Sequence, residues 1–321
     1  MGWSGKNVLI TGITGFVGSC LARRLVKLGA EVTGITRGEK YANNLSDLNV
    51  NLVQGNILDY PLIERVLAEY ETDVCFHLAA QTIVRRSIKN PTTAYQTNVM
   101  GTVNMLEACR HVGIEGFLYT STDKVYGEPD QLPIPESAPL NASGVYESSK
   151  AAADRIARAY ATMFDLPAVV SRACNIYGPG DTNPRIIPNT IKMCLCKEPP
   201  IIYAGINGIR EYIYVEDCVD AYLLLAENIE KTRGDVFNVG SGVVKKQTEV
   251  VEGIAKLFGL QPKHVEPEPY MHKEIKSQYL SSEKIARELG WKSKTSFEEG
   301  VKRTIDWWKE RLAQQRRPKT S

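Results

Sequence analysis

From Asn7 to Arg172 the chain alternates between short apolar runs and segments whose apolar residues recur every three to four positions. Asn7-Val8-Leu9-Ile10-Thr11 is a continuous run stopped by Gly12, which predicts a buried strand. Over 16–28 the spacing becomes helical and closes at Gly29, a C-cap residue. Residues 31–36 read as a second strand, Leu52-Val53 as part of a third, and 73–78, 116–120 and 168–172 as a fourth, fifth and sixth. Between them 59–70, 92–112 and 145–164 read as helices, the first with Asp59 as N-cap and Pro61 in its first turn. Strands alternating with helices imply a parallel sheet covered on both faces, with right-handed crossovers.

Beyond residue 178 the pattern changes. Pro179, Pro184, Pro188, Pro199 and Pro200 interrupt it. A helix over 215–228, a strand over 235–239, a helix over 247–258, a proline-rich loop over 262–269 and two short terminal helices are expected. The fold class expected is α/β: a doubly wound parallel-sheet Rossmann domain over 1–177, to which about 211–240 return, and a smaller interleaved α/β substrate domain over 178–321.

Composition narrows the partners. A chain of 321 residues can bury a sizeable core, and a net charge of +2 exerts no strong pull toward nucleic acid or membrane. The basic tail at 311–319 reads as a solvated terminus. No signal peptide and no apolar run near the ~20 residues of a bilayer span are evident. The seven cysteines form no Cys-x-x-Cys pair and lie mostly in apolar runs, so buried reduced thiols and a cytoplasmic setting are expected, with no metal site.

The chemistry concentrates in three places. Gly12, Gly15 and Gly18 follow a strand and open a helix at Phe16-Val17. A side chain at the first glycine would block the tight turn; one at the second would hold a pyrophosphate off the helix N-terminus, whose N–H groups favour anions. The second strand ends in Thr36-Arg37 with no acid at its tip, which favours NADP over NAD, the alternative being that Arg37 is a loop charge. Asn56 and Ile57 after the third strand could meet the adenine edge. Leu78-Ala79-Ala80-Gln81 after the fourth offers the small residues that a backbone lying on a cofactor requires, and His77 reads as a satisfied core histidine.

Tyr146 and Lys150 share one face of a helix. A phenol near pKa ~10 is a poor base at neutral pH, but a nearby ammonium stabilises the phenolate. Tyr146 can therefore take a proton from a substrate hydroxyl as hydride leaves the same carbon. Ser121-Thr122-Asp123-Lys124 lies about twenty-five residues upstream. Asp123 and Lys124 add an acid/base pair that simple oxidation does not need, unless they are only an ion pair at a strand end.

Taken together these motifs resemble the extended short-chain dehydrogenases/reductases, the family of nucleotide-sugar epimerases and dehydratases. The resemblance runs through the glycine turn, His77-Leu78-Ala79-Ala80, Asn98, Ser121-Thr122, Tyr146/Lys150, the stretch 172–180, Arg210-Glu211-Tyr212 and Asn238-Val239-Gly240. It implies that Asn98 belongs to the cofactor site. It also implies that Arg86, Ser87, Asn175, Arg185 and Arg210 meet a nucleotide-sugar substrate, with Arg210 at its diphosphate, where a guanidinium fork suits phosphate oxygens. Asp-Lys after Thr122 resembles the CDP-glucose 4,6-dehydratases, as do Trp3-Ser4-Gly5-Lys6 and the stretch 79–87; some UDP-N-acetylglucosamine 4,6-dehydratases share it. The implied reaction is a 4,6-dehydration. Tyr146 deprotonates the C4 hydroxyl, Thr122 bonds its oxygen, Lys124 removes the C5 proton and Asp123 protonates the departing C6 hydroxyl. A 4-epimerase or 4-ketoreductase is the alternative. The resemblance further implies a homodimer in which the helices at 92–112 and 145–164 pair across a two-fold axis as a four-helix bundle.

Overall fold

The computed structural model describes residues 2–38, 45–268 and 275–316; the end of the basic tail and of the proline-rich loop lie outside them. Its main sheet has seven parallel strands: β1 (Asn7–Thr11), β2 (Glu31–Thr36), β3 (Asn51–Gln54), β4 (Val74–His77), β5 (Gly116–Thr122), β6 (Ala168–Ala173) and β10 (Val236–Val239). They run in the order β10-β6-β5-β4-β1-β2-β3, all pairings parallel. The order reverses between β1 and β4, so a crevice opens at the carboxyl ends of those two strands, where ligands bind in such sheets.

The central strands form because their apolar runs are buried on both faces, whereas the edge strand β3 is largely exposed, with Leu52 38% accessible, and pairs on one side only with β2. Leu9, Ile10, Val74, Phe76, Leu118 and Val169 are all fully covered, each such side chain contributing roughly 1.5–3 kcal/mol. One face carries α1 (Phe16–Lys27) and α8 (Val215–Glu227), the other α2 (Tyr60–Glu69), α5 (Gly101–Val112) and α6 (Val145–Met163). Asp59 caps α2 as expected, its carboxylate accepting from the Leu62 N–H at 3.2 Å. Gly29 lies in the left-handed region just past α1.

Two departures matter. The single helix expected over 92–112 is three pieces: α4 (Pro91–Tyr95), a π-helical turn (Gln96–Met100) and α5. A short α3 (Val84–Lys89) precedes them. At the C-terminus the two short helices are α11 (Glu283–Leu289) and a long α12 (Phe297–Arg316). The mostly polar α12 buries one stripe, Val301, Ile305 and Trp308, in a third core with Tyr177, Tyr212 and Phe297. That core sits by a smaller sheet of β11 (Val244–Lys246), β9 (Ile209–Tyr214), β13 (Ser277–Gln278) and β7 (Asn175–Tyr177). The rest of the second half comprises α7 (Ile186–Leu195), β8 (Ile201–Tyr203), α9 (Ile229–Thr232), α10 (Gln247–Leu257) and β12 (Lys263–Val265). Thus 209–214 lies in the small sheet, while 236–239 returns to the large one. Among the described residues no helix is long and apolar enough to cross a membrane.

Candidate active site

At the end of β1 the backbone turns sharply. Gly12 has φ +73°, and a Cβ there would sit 2.9 Å from the Ala79 nitrogen. A Cβ on Gly18 would collide with the Gly12 carbonyl, so the third glycine is what lets α1 pack onto the turn. Gly15 is the N-cap and carries no side chain that could occupy the helix terminus. Phe16 is buried and Val17 partly so. Across the turn, Thr11 Oγ1 accepts from the Ala79 N–H at 3.2 Å. Leu78, Ala79, Ala80 and Gln81 are half-buried along the opposite wall. A backbone cradle at a helix N-terminus, closed to side chains at two of its glycines, fits a dinucleotide pyrophosphate.

The remaining cofactor candidates divide. His77 is held between Thr11 Oγ1 (2.7 Å) and Thr102 Oγ1 (3.1 Å), and burial pushes its pKa down to about 3, which makes it a neutral core residue. Asn98, in the π-helical turn, accepts from Gln81 N at 2.7 Å and donates to Gln81 O and to Ser149 Oγ at 3.2 and 2.8 Å. It pins the Gln81 wall to α6. Asn56 is exposed and caps the Leu58 N–H at 3.1 Å, whereas Ile57 is buried under Gly101. Arg37 lies exposed one residue past β2.

Tyr146 and Lys150 stand on the first turns of α6, against the end of β5. Burial pushes the Tyr146 phenol up to about 12, while the Arg185 charge and a hydrogen bond with Thr122 pull it down and Asp123 pushes it up. Burial lowers the Lys150 ammonium to about 7, opposed by Asp154. Its Nζ donates to the Thr120 carbonyl and lies 4.2 Å over the Tyr119 ring. The expectation that Lys150 lowers the Tyr146 value therefore meets a different arrangement in the folded protein. Both groups are driven toward neutrality by burial, and the Arg185 charge opposes that drift at the phenol.

Thr122 ends β5, and Asp123–Tyr126 forms one 3₁₀ turn. The Thr122 hydroxyl donates to Asp123 Oδ1 at 3.0 Å and accepts from the Lys124 N–H at 3.3 Å. Lys124 Nζ lies 3.0 Å from Asp123 Oδ2 and 2.6 Å from Gln278 Oε1. Asp123 is buried, while the Lys124 side chain retains 21% exposure. At the last residue of the turn, Tyr126 donates to Asn238 Oδ1 at 2.7 Å and accepts from Arg172 at 2.9 Å. Arg172 in turn pairs with Asp154 of α6 at 2.8 Å, fully buried.

The substrate candidates are spread more widely. Asn175 donates to the Glu211 carbonyl at 2.9 Å, and Arg185 reaches toward buried Asp181 at 3.9 Å. Arg210 is buried, its guanidinium donating to Ile209 O at 3.0 Å and Lys276 O at 3.4 Å. Ser87 is buried with its hydroxyl on Ile83 O at 3.3 Å; Arg86 is exposed on α3. Trp3 and Lys6 are remote from the site: Trp3 packs on Phe76 at 5.7 Å and bonds Glu227, and Lys6 pairs with Glu115 at 2.7 Å. Sequence reasoning missed Gln278, which lies on a two-residue strand that carries no periodicity. It also missed Asp181, a buried carboxylate whose only cue is its place after Gly180.

Comparison with known proteins agrees with this picture. A family model described as GDP-mannose 4,6 dehydratase matches residues 9–304. A trifunctional UDP-glucose 4,6-dehydratase/3,5-epimerase/reductase of Arabidopsis thaliana is 32% identical over 95% of this chain. The chain spans 47% of that relative, about half the length of the first curated relatives it matches. A probable dTDP-glucose 4,6-dehydratase of Sinorhizobium fredii is 32% identical, covering 94% of this chain and 93% of its own. Among solved structures, the dTDP-glucose 4,6-dehydratase of Streptomyces venezuelae with NAD bound superposes with TM-score 0.88 at 28% identity, over 96% of this chain and 98% of that one. The UDP-glucose 4-epimerase of Thermotoga maritima also superposes at 0.88 and 28%, over 95% and 99%. A cradle for a dinucleotide, a Thr-Asp-Lys turn facing a Tyr/Lys helix, and similarity along nearly the whole chain meet in one conclusion: the chain belongs to the GDP-mannose 4,6-dehydratase family of extended short-chain dehydrogenases/reductases.

Proposed function

We propose that the protein is a nucleotide-sugar 4,6-dehydratase. The observation that carries the proposal is the Asp123–Lys124 pair, 3.0 Å apart, at the end of the strand that also presents Thr122 to Tyr146. A bound nicotinamide dinucleotide supplies a hydride acceptor and donor. Tyr146, as the phenolate, takes the C4 hydroxyl proton, and Thr122 donates to that oxygen once its hydroxyl turns from Asp123 Oδ1. Moving one proton from Lys124 to Asp123 along their hydrogen bond turns an ion pair into an amine and a carboxylic acid. The amine then removes the C5 proton, the acid protonates the C6 hydroxyl, water leaves, and the ion pair is restored. Lys124 later returns a proton to C5. The proton held by Tyr146 can reach Asp123 and Lys124 through the Thr122 hydroxyl. Arg210, Asn175 and Arg185 are assigned to the nucleotide diphosphate and sugar, and Asp181 to orienting Arg185.

Relatives named for dTDP-glucose and UDP-glucose make both candidate substrates, and the Asp-Lys pair keeps CDP-glucose among them. The test is incubation with all three and mass spectrometry for loss of one water. Lys124→Ala should slow elimination about 10²–10⁴-fold, with reduced cofactor accumulating because C4 oxidation survives. Full dehydration by that variant would refute the assignment. An epimerase would return products of unchanged mass; the Thermotoga maritima structure supports that second reading.

The NADP preference rests on Arg37. It is tested by extracting the bound cofactor and by Arg37→Asp, which should weaken NADP far more than NAD; protein purified with NAD overturns it, the cofactor named in the Streptomyces venezuelae structure. The homodimer rests on the face of α4 to α6, where Tyr95, Met100, Met163 and Phe164 are 42%, 50%, 74% and 53% exposed. Burying it twice over could give an interface of standard size. Light scattering that shows a fully active monomer would exclude it.

A further inference from the structure

Gln278 is the longest-range support of the Asp123–Lys124 turn. It lies 154 positions from Lys124 in sequence and is completely buried, although β13 is only two residues long. All of its amide is committed. Oε1 accepts from Lys124 Nζ at 2.6 Å, and Nε2 donates to the carbonyls of Asp123 at 2.9 Å and Gly127 at 3.3 Å. Burying a primary amide costs free energy unless its hydrogen bonds are made, so a packing role alone would be served better by an apolar residue. The neighbouring strand adds a second point. Gln278 pairs in register with Arg210 of β9, and the Lys276 carbonyl accepts from Arg210.

We propose that Gln278 is a positioning residue that aims the Lys124 amine at the substrate. A neutral amine has two N–H bonds and one lone pair. Passing its proton to Asp123 leaves the lone pair on that side; a turn about the Cε–Nζ bond then returns one N–H to Asp123 and the other to Gln278 Oε1, an oxygen that can only accept, so the lone pair takes the single remaining tetrahedral direction. Without Gln278 the Lys124 side chain can rotate about its last bonds, and the base loses its aim. Because β13 pairs with the strand of Arg210, the residue assigned to the diphosphate and the residue that aims the base are neighbours across one ladder. The inference rests on the dehydratase reading and names the device that makes its base directional.

The experiment uses the full chain with its cofactor and compares wild type, Gln278→Met and Gln278→Ala on UDP-glucose, dTDP-glucose and CDP-glucose. Met keeps most of the volume and removes the acceptor. We expect kcat for water loss to fall on the order of 10²-fold with KM unchanged, and reduced-cofactor absorbance to build up during turnover. A purely structural role would lower C4 oxidation and elimination together, in step with the loss of folded protein; that result, or wild-type elimination in both variants, overturns the proposal. A second readout needs no substrate. Competitive acetylation followed by peptide mass spectrometry should label Lys124 about fivefold faster in Gln278→Met, the worth of one hydrogen bond, with the other lysines unchanged. Equal labelling also overturns it. If wild type removes water from none of the three sugars, the dehydratase reading fails and the labelling result still decides whether Gln278 holds the amine.

Discussion

At the end of β1 the chain makes its cradle from itself: Gly12 turns, Gly18 packs under it, and one neighbour, Ala79, closes the opposite side. At the end of β5 the turn that carries Asp123 and Lys124 contributes little to its own placement. It is held by Tyr126 on Asn238, by Arg172 and Asp154 behind it, and by Gln278 beside it. The role proposed for the first region, holding a ligand through backbone, needs small residues and little else. The proton chemistry proposed for the second needs side chains fixed in direction, and direction is supplied by partners from distant segments.

The largest break in this comparison should come from the buried pair behind the acid/base turn. Asp154→Ala leaves the Arg172 guanidinium uncompensated in the core, which should cost about 3–5 kcal/mol in a denaturation experiment. The cradle, built without that pair, should still bind dinucleotide in whatever protein remains folded. If stability is unchanged, the turn does not hang on Arg172.

The converse test is Gly18→Ala. The added methyl meets the Gly12 carbonyl, and over-packing of this kind costs about 1–3 kcal/mol. Purified variant should carry little nicotinamide, read by cofactor extraction. The hydrogen bonds among Thr122, Asp123 and Lys124 should survive in its crystal structure. Normal cofactor content would show that the glycine spacing is not what shapes the cradle.

A pH-dependent measurement sharpens the comparison at the residue between the two regions. Lys150 has its folded value lowered to about 7 from the usual 10.5. Between those values the unfolded chain holds a proton that the folded chain lacks. Wild-type stability should therefore rise with pH across this window, relative to Lys150→Met. Below it, charging the buried amine is a penalty that the variant escapes. A stability difference flat with pH in the cofactor-free protein would mean that Lys150 stays charged against the Thr120 carbonyl.

Most of the first region was legible in the chain, because its physics is local. A strand, three glycines and a helix start are adjacent, and the close approach of Gly12 to Ala79 follows from the parallel pairing of β1 with β4. Tyr146 and Lys150 were legible for the same reason, being one helical turn apart. The π-helical turn was not, since apolar periodicity does not register an added residue in one turn. Yet that turn carries Asn98, which locks Gln81 to α6. The length of α12 escaped because its charged surface hides a narrow buried stripe. The resemblance implies a diphosphate role for Arg210, and the structure adds its pairing with β13.

The sequence by itself determined the alternation of strands and helices, the glycine turn and which residues are candidates for proton transfer, because each depends on residue types a few positions apart. Tertiary structure alone decided the state and direction of those residues. Burial pushed Tyr146 up and Lys150 down, a property of depth and not of spacing. Arg185 came to act on the Tyr146 phenol, and Gln278 came to hold Lys124, through crossovers that join segments more than a hundred positions apart in the second case. Hydrogen bonds and desolvation act over a few ångströms, so only the folded chain says which distant groups fall within that reach.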